Sequence, residues 1–371
     1  MFKSTFRIPF LNLKKQYRSI KKEIDVAIQN VINDSTFSGG PYVEKFEKKF
    51  AKFIGTKYAV GLNSGTSALH LALKILNTKQ GDEVIVPVNT FIATAWAVSY
   101  LGAKPVFVDC DRETWQLDPR KIEKKITSKT KAIIGVHLFG QPFDIDAVKR
   151  IADRHKLYLV EDCAQAHDAK YKGKTVGTFG DVACFSFYPT KNLGAFGEGG
   201  ALVTNNPKYA LRAKILRNQG SSIKYYHEEI GFNMRMEGIQ AAILDVKLKH
   251  LNQWNKRRQE IAKTYQTLIK NPNITMQQQP VWAESVYHLF VITVNQRERF
   301  IKHLKKNGVE SMIHYPIPCH LQKAYRHLEY KRGDFPLVEE YAKHCVSIPL
   351  NPEMTNQDVN RICRIINKYA N

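Results

Sequence analysis

The chain has 371 residues, 43% hydrophobic and 24% charged, enough for a full core; this excludes a disordered tail protein, a collagen or a mucin. Its 56 basic against 34 acidic residues give a formal charge of +22. The lysines are spread through KKFAKF, IEKKITSKTK, KLKHLNQWNKRRQ and KHLKKNG, which reads as a solvated basic surface favouring anionic small molecules, with no nucleic acid as partner. Six cysteines at 110, 163, 184, 319, 345 and 363 lack zinc-type spacing and read as free thiols in a reducing cytoplasm, with no metal bound. The N-terminal stretch has no long apolar run before a cleavage site, and no later stretch reaches about 18 uncharged apolar residues, so neither export nor a membrane span is expected.

In chain order, Tyr17, Ile20, Ile24, Ala27, Ile28 and Val31 predict a helix over about 14–33, and a second helix fits Val43 to Ile54 beyond the breaker SGGP. Short apolar runs then alternate with helical segments: KYAVGLNS, a helix from about Thr66, DEVIVPV, IATAWAVSYLG as helix, PVFVD, KAIIGVHL, DIDAVKRIADRHK as helix, LYLVED, DVACFSFY and GALVTN. Such alternation predicts an α/β fold with a mostly parallel, helix-covered sheet. Ile239, Ala242, Ile243, Val246, Leu248 and Leu251 begin a long helix over about 237–269. It is expected to join a large domain, 1–250, to a small C-terminal α+β domain, 251–371. The latter contains HLFVITV, the helix RERFIKHLKKNG, the loop HYPIPCHL and two further helical patterns.

Three constellations carry chemistry. Asn63 to Leu69, NSGTSAL, lies between a predicted strand and helix, where small residues and a helix N-terminus make a phosphate cup; the same letters also describe ordinary N-caps. LVEDCAQAHDA places Glu161, Asp162, Gln165 and His167 after a buried strand, where α/β proteins bind ligands. Asp162 suits a protonated heteroaromatic nitrogen, Glu161 also fits a structural pair, and His167 reads as a core histidine. In FSFYPTKNLGAFGEGG, aromatic and small residues surround Lys191 and desolvate its amine, with Ser186 five residues earlier. An anion site, an acid and a desolvated lysine together answer to pyridoxal 5'-phosphate.

The runs FSGGPYVEKFEKKFA, GLNSGTSALHLAL, GDEVIVPVNTFIATAWAV, HLFGQPFDI, LVEDCAQAHDA, GDVACFSFYPTKNLGAFGEGG and GFNMRMEGIQAAIL together resemble the DegT/DnrJ/EryC1/StrS family of sugar aminotransferases, in order and over nearly the whole chain. The resemblance implies a type I, aspartate-aminotransferase-like fold and a homodimer with active sites at the subunit interface. It makes Lys191 the Schiff-base lysine, Asp162 the partner of the pyridine nitrogen and Gln165 a contact to the phenolic oxygen. Gly65, Thr66 and Ser186 would hold the phosphate, Phe91 would stack on the ring, and Asn233 would reach the phosphate of the neighbouring subunit. Family members that dehydrate sugars have His at the lysine position, so Lys191 implies transamination.

The implied reaction moves an amino group from L-glutamate to a keto group of a nucleotide-linked sugar. FNMRMEGIQAAILDVKLKHL and HYPIPCHLQKAY look most like members acting at C-3 of a dTDP-3-keto-6-deoxyhexose, for surface-glycan or antibiotic sugar synthesis. Candidate substrate contacts are Tyr188, Arg217, His314 and Tyr315, Arg217 because a diphosphate suits a guanidinium fork. The alternatives are a C-4 aminotransferase, an enzyme of UDP-linked keto sugars, and a non-enzymatic regulator on the same fold.

Overall fold

The computed structural model describes residues 7–370; residues 1–6 and 371, at the outer ends of the two expected domains, lie outside it, as does part of the N-terminal stretch read for an export signal. Its centre is a seven-stranded sheet. The strands are β1 (Tyr58–Leu62), β2 (Glu83–Pro87), β3 (Lys104–Val108), β4 (Thr130–Val136), β5 (Tyr158–Asp162), β6 (Val182–Ser186) and β7 (Gly200–Thr204), in the spatial order β1-β7-β6-β5-β4-β2-β3. β7 alone runs against the others in this sheet.

The strands are apolar on both faces because both are covered. Val84, Val86 and Val160 pack into one core and Ile85 and Leu159 into another, following the two-residue period of a strand. The twelve α-helices of the described residues are α1 (Leu13–Ser19), α2 (Lys21–Asn33), α3 (Pro41–Ile54), α4 (Gly65–Ile75), α5 (Ile92–Ser99), α6 (Ile145–Arg154), α7 (Pro207–Arg217), α8 (Gly238–Leu248), α9 (Leu251–Leu268), α10 (Arg297–Lys306), α11 (Pro336–His344) and α12 (Asn356–Asn367). Helices α4, α5 and α7 cover the first face, and α3, α6 and α8 the second. A smaller antiparallel sheet, β8 (Ile274–Met276), β9 (Phe290–Val294) and β10 (Cys345–Ile348), packs with α9, α10 and α12 around a separate core. No helix among the described residues is long and apolar enough to cross a membrane.

Two expectations change. The helix over 14–33 breaks at Ile20, whose ψ of 18° is not helical. The long helix over 237–269 is two helices: the N–H groups of Lys249 and His250 bond back three residues, to Val246 and Lys247, which closes α8 with a tight turn. Lys249 and His250 both reach Glu23 on α2, so the break is held by a charged contact that periodicity does not register. The first described residues also stray from the large unit: Ile8 bridges Val309 and joins the small core.

Adjacent carboxylates on β5 have opposite fates. Glu161 is fully buried and accepts from the backbone N–H of Gly177, Phe179 and Gly180 at 2.8 Å each, and pairs with His137 Nε2 at 3.1 Å. Burial alone would raise its carboxyl, but His137 and these N–H groups hold it below the usual range. Cys163 brings a third ligand-type atom within 4.8 Å of this pair. Both Glu161 oxygens are, however, already engaged by the segment 177–180. We therefore expect Glu161→Gln to lower unfolding free energy by about 2–4 kcal/mol, read as an earlier urea midpoint, since an amide cannot accept on both ends.

Candidate active site

A cavity of about 550 Å³ lies at the carboxyl ends of the large-sheet strands, closed on its other side by the small unit. Lys191, Asp162, Gln165, Ser186, Gly65, Thr66 and Phe91 all line it, as do Tyr188, His314 and Tyr315. Ten of the twelve residues singled out from sequence are thus brought together. Arg217 and Asn233 are not.

The phosphate cup is built by a close approach. Ser64 caps α4 by accepting from Ser67 N at 3.0 Å, which leaves the first N–H groups of the helix, at Gly65 and Thr66, to face the cavity end. A Cβ on residue 65 would lie 2.6 Å from Ser186 Cβ, so glycine is what lets the helix start against the end of β6. The start of α4 at Gly65 and Thr66 and the Ser186 side chain thus lie together in the cavity wall, an arrangement that could hold an anion.

Asp162 ends β5 with both oxygens in use: Oδ1 accepts from Ala164 N at 3.1 Å and Oδ2 from Thr94 Oγ1 at 2.9 Å. Burial raises its pKa, opposed by those two bonds and by Lys191. Burial lowers the Lys191 ammonium from 10.5 to about 8, against the attraction of Asp162. The loop that carries Lys191 is braced by Lys247, a buried amine from α8 that donates to Gly194 O at 2.6 Å. Gln165 receives Phe139 N–H on Oε1 at 2.6 Å, which fixes its amide so that Nε2 faces inward and meets Tyr315 Oη at 3.1 Å. Phe91 lies half-exposed over the cavity, its ring centroid 5.7 Å from that of Tyr315. His314 bonds Ser347 Oγ at 2.7 Å, and burial together with Lys191 depresses its imidazole to about 4, so it is neutral near pH 7.

Arg217 is committed elsewhere, to Glu47 and, at 2.7 Å, to Gly61 O, where it ties α7 and α3 to β1. Its guanidinium does not line this cavity; the expected diphosphate contact is corrected to a structural ion pair. Asn233 is exposed on another face, beside Asn63 and Arg235, and its side chain does not line the cavity of its own chain. His167 is fully buried against Phe185 and Phe187, a core histidine kept neutral by burial, with a pKa of about 3.

Sequence reasoning missed Thr90 and Thr94, both buried in the cavity wall, although hydroxyls four apart at a helix start in NTFIATA were a readable signal. It also missed Phe10 and Leu11, which line the cavity because Phe10 N donates to Glu310 Oε2 at 2.8 Å, a pairing across 300 positions that no local pattern announces. Glu198 adds a second carboxylate to the wall.

A cup for an anion, a buried acid, a lysine whose amine is easily freed of its proton, and an aromatic lid fit a phosphorylated heteroaromatic aldehyde. The comparisons with known proteins agree with that chemistry. The erythromycin biosynthesis sensory transduction protein EryC1 of Saccharopolyspora erythraea is 46% identical, over 96% of this chain and 97% of its own. The dTDP-3-amino-3,6-dideoxy-alpha-D-galactopyranose transaminase of Aneurinibacillus thermoaerophilus is 46% identical over 98% and 99%. The dTDP-3-amino-3,4,6-trideoxy-alpha-D-glucose transaminase of Streptomyces venezuelae is 43% identical over 99% and 97%. Among solved structures, S. venezuelae DesV superposes with a TM-score of 0.96 at 43% identity, covering 98% of each chain. A sugar aminotransferase structure from Streptococcus pneumoniae, in its PLP form, matches with a TM-score of 0.89 at 27% identity, over 93% of this chain and 95% of that one. A family model matches residues 18–367, and with these relatives it shows that the chain belongs to the DegT/DnrJ/EryC1/StrS aminotransferase family.

Proposed function

We propose that the protein is a pyridoxal phosphate-dependent aminotransferase that converts the C-3 ketone of a dTDP-3-keto-6-deoxyhexose to an amine, with L-glutamate as donor and 2-oxoglutarate as the other product. The observation that carries the reading is the half-buried Lys191 and the buried Asp162 facing one cavity, with Gly65, Thr66 and Ser186 at its end. The two dTDP-amino-sugar transaminases among the relatives support the choice of sugar nucleotide and of C-3.

Bound pyridoxal phosphate supplies an aldehyde that takes up an amine and a ring that withdraws electrons from the adjacent carbon. Everything else falls to the chain. Lys191, with its pKa lowered to about 8, has a sizeable neutral fraction near neutral pH, so Nζ can attack a carbonyl and later carry a proton from one carbon to another. Asp162 would hold a positive charge at the ring nitrogen, and the Gln165 amide would donate to the phenolic oxygen. Gly65, Thr66 and Ser186 would fix the phosphate, and Phe91 would cover one ring face. Tyr188, His314 and Tyr315, which line the same cavity, would meet the sugar.

A homodimer with shared sites belongs to the same reading. It is supported by the position of Asn233, outside its own cavity, and by the exposed Ile223, Tyr225, Tyr226 and Ile230 on the neighbouring hairpin, which a second copy would cover. Six buried free thiols support a reducing, cytoplasmic location.

The first test is spectroscopic. Protein loaded with pyridoxal phosphate is expected to show a visible band that L-glutamate alone bleaches, with one equivalent of 2-oxoglutarate released; a band indifferent to glutamate would refute the donor. A panel of keto sugar nucleotides then separates C-3 from C-4 and dTDP from UDP. Lys191→Ala should reduce turnover by at least about 10³-fold while leaving the fold intact, measured by coupled detection of 2-oxoglutarate. The attack on the cofactor requires neutral Lys191, so below its pKa the rate of band formation in the apo-protein rises with pH and levels off above it. The expected midpoint is about 8, and a midpoint at the ordinary lysine value of 10.5 would contradict the burial effect.

A further inference from the structure

We propose that Thr90 and Thr94 are positioning residues: they form a one-way chain of hydroxyls that selects the ionised form of Asp162 and holds it ready for the ring nitrogen of the cofactor. The inference rests on the reading above that Asp162 faces that nitrogen.

The argument is an accounting of protons. Thr90 Oγ1 and Thr94 Oγ1 lie 2.8 Å apart, and Thr94 Oγ1 lies 2.9 Å from Asp162 Oδ2. Both threonines are buried, 4% and 1% exposed, and among the described residues Thr94 is the hydrogen-bond partner of the Thr90 hydroxyl. Asp162 Oδ1 accepts from the Ala164 N–H and Oδ2 from the Thr94 hydroxyl, so both of these bonds favour the ionised carboxylate.

With Asp162 ionised, Thr90 donates to Thr94 and Thr94 donates to the carboxylate, a charge-assisted bond in which each hydroxyl proton has an acceptor. With Asp162 neutral, that bond loses its charge assistance, and where the acid proton is turned towards Thr94 the chain must reverse and Thr90 loses Thr94 as its acceptor. In either case the two threonines are better satisfied by the carboxylate than by the neutral acid.

Other groups act on the same carboxylate. Lys191, from the loop after β6, and His137, at the end of β4, stabilise its charge, whereas burial opposes it. Cys184 on β6 and Tyr315 from the small unit also face it, both held protonated. The threonine chain differs from these in acting through donated hydrogen bonds, Thr94 directly and Thr90 through Thr94. The relay also touches the small unit, because Cys319 donates to the Thr90 carbonyl at 3.4 Å (Sγ to O) and, through its own N–H, to Val88 O at 3.1 Å.

The test is binding, not turnover. Dissociation constants are measured for pyridoxal phosphate and for its 1-deaza analogue, in which C–H replaces the ring nitrogen, on the full chain. The variants are Thr94→Val, Thr90→Val, the double substitution and Thr94→Ser. The wild type should prefer the nitrogen-bearing ring. Thr94→Val should lower that preference about tenfold, and Thr94→Ser should restore it. Thr90→Val should lower it about threefold in the wild-type background and not at all in the Thr94→Val background. Because losing Thr94 favours the neutral acid, the acid-side fall in pyridoxal phosphate affinity should also move to higher pH. A folded Thr94→Val protein that keeps the full preference overturns the proposal. So does equal loss from Thr90→Val in both backgrounds, which would mark a packing role. If Thr94→Val does not fold, an unchanged preference in Thr90→Val overturns it alone. Absence of any preference in the wild type would overturn the Asp162 reading itself and the relay with it, whereas a wild-type preference that survives in the variants removes only the relay.

Discussion

The site hangs from the place where three chain segments touch closely, at the carboxyl ends of β1 and β6 and the amino end of β7. Gly65 begins α4 against Ser186, and Gly200, which starts β7, lies so close to Ser64 that a Cβ there would sit 2.2 Å from the Ser64 carbonyl oxygen. Any side chain at either glycine would push the helix start away from the sheet. The helix would lose its contact with Ser186, and the two would no longer lie together in the cavity wall. The antiparallel β7, placed between β1 and β6, is what brings segments 64–66 and 186 together although they are 120 positions apart. The lysine loop between β6 and β7 is then confined by the same strands.

Burial acts on the two charged groups in opposite senses, and the site uses both. It weakens the hold of Lys191 on its proton and strengthens that of Asp162, so desolvation alone would move both towards neutrality. Their mutual attraction and the bonds to Asp162 work against that drift. Strand geometry gives the two neighbouring carboxylates separate tasks: successive residues of β5 point to opposite faces, so Glu161 anchors segment 177–180 while Asp162 faces the cavity.

What was legible in the sequence was whatever local pattern encodes. The apolar runs became the strands of the large sheet, and LVEDC and SFYPTK bring Asp162 and Lys191 to one cavity because a strand end followed by a turn fixes where a side chain emerges. The rest depended on partners distant in the chain. Arg217 looked like a phosphate ligand, but Glu47, 170 positions away, already holds it. The helix break at Lys249 and His250 is stabilised by Glu23, also out of reach of any periodicity. Thr90 and Thr94 were visible in the sequence as hydroxyls at a helix start, but their link to Asp162 was not, because a hydroxyl's role is set by what it bonds.

The strap formed by residues 8–11 bears on how the protein is made. Phe10 meets Glu310 and Asn351, partners 300 and 341 positions later, and Ile8 bridges Val309. During synthesis the first segment of the cavity wall therefore leaves the ribosome long before anything exists for it to pair with. The large sheet can assemble domain-fashion as its strands emerge, but the cavity is enclosed only when nearly the whole chain is out. The working pocket is thus a late product of folding, completed when residues 8–11 meet segments 300 or more positions later.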